Sequence, residues 1–464
     1  MLSLARFSIK RYAEPAFYDF LLKKTGIASQ HFSFLHNQLI RLISLTIMTG
    51  RTKRKAATDD AAEVKAKKVR GETGIGHGLK WSNVGGSDAN CSLIVLSSDT
   101  LGGVSKVAGF DIDFTVIKTA SGRKFATGAT DWEFWDEQVT VKLKQLNKDG
   151  YRVVFFTNQG GIEKKKVTPQ TFKTKAEAII KGLDIPVMVF ASTGTNQYRK
   201  PYTGMWDYFS ENCNQGVVVK KSESLYVGDA AGRAKNWAKD KPKDFSCCDR
   251  MFASNVGVKF YTPEEFFLNQ PSVPFEWRSI DAKDFLKKNP AISAKDDKSD
   301  YASKKQEVII MVGPPASGKS TFRQRYLEPD GYVVINRDTL GTMEKCLKIA
   351  REKIQLGKSI VADNTNPSAS SRAHFISLAK EKDIPCRCIW LQTPLELAHH
   401  LNMFRQKQTK DSVRRVPDVG YNIFKKNFEE PTVKEGFTGG VIKVNFTPRF
   451  DNKTDEELFQ HWTD

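Results

Sequence analysis

Two stretches decide how this chain folds: Lys106-Val-Ala-Gly-Phe-Asp111-Ile-Asp113-Phe-Thr115 and Glu307-Val-Ile-Ile-Met-Val312-Gly313-Pro-Pro-Ala-Ser317-Gly318-Lys319-Ser320. Each is an apolar run of strand length that stops at a cluster of polar residues. That is how a buried parallel strand reads when its carboxyl end carries a site. Working outward from the first, Tyr151–Thr157, Pro186–Ser192 and Ser224–Asp229 read as further parallel strands. Amphipathic stretches at Trp132–Lys148 and Pro169–Leu183 lie between them. Around the second, Tyr332–Asn336, Ser359–Asp363 and Cys386–Gln392 repeat the pattern, each running into polar or charged residues. Alternation of this kind predicts α/β architecture with two doubly wound domains. The expected division is a targeting and basic segment over 1–79, a first domain over 80–270, a linker over 271–305 and a second domain over 306–464.

The chain has 464 residues and a formal charge of +19. Residues 1–72 hold fourteen Lys/Arg against six Asp/Glu, so +11 remains on the body. A basic body points to a polyanionic partner, and nucleic acid is the commonest one. Seven cysteines, with no C-x-x-C pair, suit a reducing compartment without disulfides or structural zinc. Cys386 and Cys388 alternate in a Val/Ile/Trp-rich run and read as packing. The apolar stretch at 39–47 is broken by Arg41 and is too short to span a bilayer.

The start of the chain carries Arg6, Lys10 and Arg11 without an acid before Glu14, as a mitochondrial presequence does. The segment Thr52–Arg70 has two basic clusters around a polar spacer and no aromatics. It is expected to be disordered and to act in nuclear import. Met48 could serve as an alternative start that removes the presequence. Nuclear location is therefore expected, with mitochondrial location from Met1.

The D-x-D-x-T at Asp111-Ile-Asp113-Phe-Thr115 is too short to decide anything alone. In order after it come Phe155-Phe-Thr157-Asn158-Gln159-Gly160-Gly161, then Arg199-Lys200-Pro201, then Tyr226-Val-Gly228-Asp229. This half resembles the haloacid-dehalogenase superfamily, in which these positions follow strands in this order. An Asp111 carboxylate can attack phosphorus and form an acyl-phosphate. Asp113, from the same strand end, can protonate the leaving oxygen and then activate water. Mg²⁺ held by Asp111, the Asp113 backbone and Asp229 would offset the repulsion of carboxylates and phosphate. Thr157 and Lys200 would bind the transferring oxygens, with Asp249 a weaker candidate for the outer shell. No histidine lies between His77 and His374, and no cysteine begins a C-x₅-R pattern, which leaves aspartate as the nucleophile.

The second stretch is a complete G-x-x-x-x-G-K-S loop between a β-branched strand and a helix-forming run that begins at Thr321. Gly313, Ser317, Gly318 and Thr321 belong to a loop whose backbone wraps the phosphates of ATP. Lys319 reaches the β/γ oxygens and Ser320 takes Mg²⁺. Asn336-Arg337-Asp338-Thr339 ends a strand and offers Asp338 as base, with Arg337 as a phosphate contact. Asp363-Asn364-Thr365-Asn366 ends another and offers either substrate and Mg²⁺-water contacts or caps and Asx-turns. Arg405 is placed in sequence to act as a lid arginine. Arg372 lies on another expected helix.

Taken together, the order and motifs resemble the polynucleotide kinase 3′-phosphatase family of DNA end-healing enzymes, from about Lys80 to the end. The carrying segments are Ala108-Gly-Phe-Asp-Ile-Asp113, Phe156-Thr-Asn-Gln-Gly-Gly161, Tyr198-Arg-Lys-Pro201, Gly204-Met-Trp-Asp207, Tyr226-Val-Gly-Asp-Ala-Ala-Gly-Arg233 and Lys243-Asp-Phe-Ser246. In the second half they are Asn336-Arg-Asp-Thr-Leu-Gly341, Asp363-Asn-Thr-Asn-Pro367 and Glu430-Pro-Thr432. The resemblance implies removal of 3′-phosphates from DNA and ATP-dependent phosphorylation of 5′-hydroxyls. It carries over Asp111 as nucleophile, Asp113 as acid/base, Asp229 as metal ligand, Lys319 and Ser320 as nucleotide ligands, and Asp338 as kinase base. Arg199, Arg337 and Arg372 are the expected nucleic-acid contacts. Larger animal members add a forkhead-associated domain of roughly one hundred residues. About eighty residues precede the catalytic part here, so docking to phosphorylated repair scaffolds is not expected.

Two positions depart from the family pattern. Phe114 stands where glycine is common, so the turn is either conventional or the activity altered; accommodation is expected. Met403 stands where relatives can carry a second arginine. Three rival readings remain: an enzyme of small sugar or nucleotide phosphates, RNA end healing, and a nucleic-acid-binding scaffold with a degenerate phosphatase.

Overall fold

A computed structural model describes residues 76–88, 90–292 and 300–463; the presequence-like start and both basic clusters lie outside them. The first half is a sheet of strands β1 (Lys80–Val84), β2 (Leu93–Ser97), β3 (Val107–Phe110), β6 (Arg152–Asn158), β7 (Val187–Ser192), β8 (Leu225–Val227) and β9 (Lys259–Tyr261). Their order is β1-β2-β7-β6-β3-β8-β9. The five strands from β7 to β9 run parallel, while β1 and β2 are antiparallel additions at one edge. All four residues of β3 are buried. The apolar runs of β3, β6 and β7 are continuous because both faces of these central strands are buried. Phe110, Phe155, Phe156 and Phe190 are wholly buried, and the Phe156 and Phe190 rings stack at 5.5 Å.

From β3 the chain builds outward to β6 and β7 on one side and then returns to place β8 and β9 on the other. The strand order therefore reverses at β3, and the crevice beyond its carboxyl end is where ligands bind in such sheets. Asp111 is the next residue.

The expected helix over Trp132–Lys148 begins only at Gln138. Before it, β5 (Glu133–Phe134) pairs with β4 (Ile117–Lys118) in a small hairpin. The aromatic run Trp132-Glu-Phe-Trp135 favours the pleated conformation over the helical one.

The second sheet is wholly parallel, in the order β11 (Val333–Ile335), β12 (Ile360–Ala362), β10 (Val308–Val312), β13 (Cys386–Leu391) and β14 (Val441–Val444). Its order reverses beside β10, which runs directly into the glycine-rich loop.

The stretch expected to be a linker carries the helix Ala282–Lys288, capped by the Asp281 side chain. Ala282 is buried against Leu397 and Phe459, with Phe285 and Leu286 packed around them. The apolar residues Ala282, Phe285 and Leu286, spaced to share one helix face, outweigh the surrounding lysines and aspartates.

Candidate active sites at two sheet switch points

Asp111 leaves β3 with its N–H donated to the Val227 carbonyl at 2.9 Å, which fixes its carboxylate at the mouth of the sheet. The Lys200 ammonium donates to Asp111 Oδ1 at 2.9 Å, to Asp249 Oδ1 at 2.7 Å and to the Tyr226 hydroxyl at 2.8 Å. Lys200 is 3% exposed and Asp249 1%. Burial acts against the Lys200 charge, but the two carboxylates overcome it and hold the ammonium above its ordinary value.

Ligand oxygens of Asp111, Asp229 and Asp249 all lie within 4.8 Å of one another. Burial, with Asp249 and Asp113 adding, raises the Asp111 carboxyl from 3.8 to about 6 against the pull of Lys200. Burial and its two acidic neighbours raise Asp229 well above the carboxylate range. One ammonium cannot balance three carboxylates at this distance. The donors are oxygen only, as a hard divalent cation prefers, so the cluster fits Mg²⁺.

Asp249 thus joins the centre of the site instead of its outer shell. It sits in the first turn of the helix Cys248–Val256 and accepts the Ala230 N–H at 3.0 Å. A Cβ on Gly228 would lie 2.5 Å from its side chain, so glycine there lets the strand end approach the carboxylate. The Asp113 side chain stands outside this cluster. It accepts from Lys175 at 2.9 Å and from Gln159 at 2.9 Å, and it is 41% exposed. Gln159 also donates to the Thr157 hydroxyl at 3.1 Å. Neither Gln159 nor Lys175 was singled out from the sequence. Arg199 is half-buried at the rim, its guanidinium against Gly160.

The turn at Phe114 is not conventional. Phe114 has φ +60°, in the left-handed region that glycine adopts freely, and its ring is 39% exposed. Phenylalanine holds this conformation at a cost in backbone strain.

In the second half Gly318 has φ +95° and starts the helix Lys319–Tyr326. Lys319 folds back onto the carbonyls of Gly313 and Pro314 at 2.9 and 2.6 Å and the Ser317 hydroxyl at 3.3 Å. Ser317 is buried, and its hydroxyl faces Lys319; Ser320 and Thr321 are exposed at the helix start. Burial pushes the Lys319 ammonium down to about 8, opposed by Asp363 and Asp338 and reinforced by Arg405. Charged side chains from three separate segments therefore act on this lysine.

Ser320 donates to Asp363 Oδ2 at 2.9 Å, and Arg323 donates to the same oxygen at 2.5 Å. Asp363, only 2% exposed, belongs to the site in a way its position at the end of β12 suggested but did not specify. Asp338 is exposed at the start of the helix Arg337–Leu340, oriented by Asn336, which accepts from the N–H groups of Asp338 and Thr339. Arg337 is exposed beside it, its N–H bonded to Asn364. Arg405 donates to Asn402 at 3.1 Å, and its buried Nε has no partner among the described residues. Asn366, by contrast, serves the fold: its buried amide donates to the Met311 carbonyl at 2.7 Å.

Arg372 corrects the sequence reading. It is wholly buried, paired with Glu435 at 2.7 and 2.8 Å and bonded to the carbonyls of Asn366, Pro367 and Glu429. A guanidinium so enclosed ties loops together and cannot reach a nucleic acid.

Residues 106–267 match the family described as polynucleotide kinase 3 phosphatase, and residues 308–431 match an AAA domain. A bifunctional polynucleotide phosphatase/kinase of Schizosaccharomyces pombe is 40% identical over 80% of this chain and 86% of its own length. The chain belongs to the bifunctional polynucleotide phosphatase/kinase family. A putative member from Acanthamoeba polyphaga mimivirus is 33% identical over 76% of this chain and 87% of its own. A polynucleotide 3′-phosphatase of Saccharomyces cerevisiae is 28% identical over 35% of this chain and 87% of its own. The phosphatase and kinase motifs read from the sequence thus fall in the two matched segments.

Proposed function

We propose that this enzyme repairs DNA ends, hydrolysing 3′-phosphates through an aspartyl-phosphate and phosphorylating 5′-hydroxyls with ATP. The observation that carries the reading is the pairing of two switch-point sites on one chain. One has a half-buried aspartate held against a buried lysine and an acidic cluster; the other has a phosphate loop facing an exposed aspartate.

At the first site Asp111 attacks phosphorus, and Lys200 with Thr157 holds the transferring oxygens. Asp113, anchored by Lys175 and Gln159, gives a proton to the departing 3′-oxygen and then takes one from the water that opens the acyl-phosphate. Asp111, Asp229 and Asp249, with the Asp113 carbonyl, would hold Mg²⁺. That ion supplies charge neutralisation between the carboxylates and the phosphate. At the second site the loop from Gly313 to Thr321 would cradle ATP, with Ser320 and Asp363 placed for its Mg²⁺. Asp338 takes the proton of the 5′-hydroxyl, while Lys319 and Arg405 offset charge on the moving phosphoryl group. Arg199 and Arg337, at the rims of the two sites, are placed for backbone phosphates. The basic body supports a nucleic-acid substrate, and the N-terminal signals support the nucleus, with the mitochondrion as a second location.

A nicked duplex bearing a 3′-phosphate and a 5′-hydroxyl, incubated with Mg²⁺ and ATP, tests this reading. The expected product carries a 3′-hydroxyl and a 5′-phosphate and is sealed by a DNA ligase. Turnover of small phosphate esters or RNA ends with the duplex left unchanged would refute it.

A further inference from the structure

We propose that the kinase half completes the phosphatase site by positioning the loop that carries Lys200. The inference rests on the phosphatase reading given above. The loop runs from Thr193, at the end of β7, to Thr203. Its own half secures the Lys200 backbone, through Asn158, which accepts the Lys200 N–H at 2.9 Å and donates to its carbonyl at 3.2 Å. Its flanks are secured from the other half, chiefly by the helix Leu395–Gln408 and the turn after it.

On one flank the Gln197 N–H donates to Asp411 Oδ2 at 2.9 Å. Asp411 Oδ1 accepts from Gln406 at 2.9 Å, and the same Gln406 amide donates to the Thr195 carbonyl at 3.2 Å. On the other flank the Tyr202 hydroxyl donates to the Met403 carbonyl at 2.8 Å, and Lys407 donates to the Thr203 hydroxyl at 2.9 Å. Tyr202 is 4% exposed and Gln406 2%. The Tyr202 bond is sheltered from water, where losing one partner leaves the other unsatisfied, and the bonds of Asp411 and Lys407 are half-buried.

Lys200 must place one ammonium against Asp111, Asp249 and the substrate phosphate together. A shift of about 1 Å in such a group can cost on the order of 10²-fold in rate. Tyr202 and Asp411 are positioning residues: neither touches the acidic cluster, and each fixes one side of the lysine loop.

The test compares Asp411→Ala, Asp411→Asn and Tyr202→Phe in the full chain. Readouts are phosphatase kcat and KM on an oligonucleotide with a 3′-phosphate, together with the thermal midpoint. Asp411→Ala and Tyr202→Phe are expected to lower kcat about tenfold, with KM within about twofold and no loss in folded fraction. Asp411→Asn should recover part of the rate, because asparagine still accepts the Gln197 N–H, though not the Gln406 amide as well, and tolerates the left-handed backbone found at this position, φ +65°. Wild-type kcat in both first variants would overturn the proposal. A fall in kcat that follows folded fraction, without recovery in Asp411→Asn, would overturn it too. A wild-type enzyme with no turnover on the 3′-phosphate would instead remove the phosphatase reading on which it rests.

Discussion

Replacing Asp111 with asparagine should abolish the phosphatase and, in the metal-free protein, stabilise the fold. Asp111 is raised from 3.8 to about 6, chiefly by burial and then by Asp249 and Asp113, with Lys200 opposing. A carboxyl raised in the folded state binds a proton more readily there than in the unfolded chain. Its contribution to stability is therefore full below about pH 4 and is lost as pH rises through about 6. The elevation corresponds to about 3 kcal/mol of destabilisation at neutral pH. Asparagine keeps an oxygen for Lys200, which also retains Asp249 at 2.7 Å, so about 1–3 kcal/mol should be recovered. For a domain of this size that is a rise of about 3–10 °C in midpoint. The assay is thermal unfolding with a chelator at pH 7.5 and at pH 4.5. The variant should lead at the higher pH and converge on wild type at the lower. Saturating Mg²⁺ should reverse the order, because the ion stabilises the state that binds it and the variant has lost a ligand. A variant less stable than wild type at pH 7.5 without metal would refute the electrostatic account of this cluster.

ATP affinity should weaken as pH rises above about 8, because Lys319 titrates near there when free and the bound phosphates favour its charged form. Calorimetric titration between pH 6.5 and 9.5 checks this, and a flat profile would contradict it. Phe114→Gly should relieve about 1–2 kcal/mol of left-handed strain against about 0.5–1 kcal/mol of added chain entropy. The midpoint should therefore rise slightly with phosphatase kcat unchanged; a large gain in turnover would mean that the turn distorts the site. Arg372→Ala should cost about 3–5 kcal/mol by leaving Glu435 unpaired while DNA affinity of the folded protein stays the same. A selective loss of DNA binding would return Arg372 to the substrate surface.

The central strands of both sheets were legible because burial on two faces makes each a continuous apolar run ending in polar residues. Among the peripheral strands β11 was legible, but β1, β9 and β14 were not. In β1, Lys80-Trp-Ser-Asn-Val84 has the composition of a loop, and in β9 and β14 a lysine stands within a short apolar run. Asp111, Asp113, Lys200 and Lys319 stand in local patterns that the chemistry dictates. Asp249 does not, since its partners Asp111 and Lys200 lie far away in sequence. The one hint was an acid two residues before the apolar Met251-Phe252-Ala253. Arg372 misled for the same reason: nothing near it shows that Glu435, 63 residues on, closes over it.

The central claim is that two separate sites on one chain heal the two ends of a break. Asp111→Ala and Lys319→Ala, each assayed on the same nicked duplex with both ends labelled, test it most directly. Asp111→Ala should leave the 3′-phosphate in place while the 5′-hydroxyl is phosphorylated at close to the wild-type rate. Lys319→Ala should clear the 3′-phosphate and slow 5′ phosphorylation by about 10²–10³. An equimolar mixture should restore both products. Loss of both activities in either variant, with the fold intact, would contradict the claim.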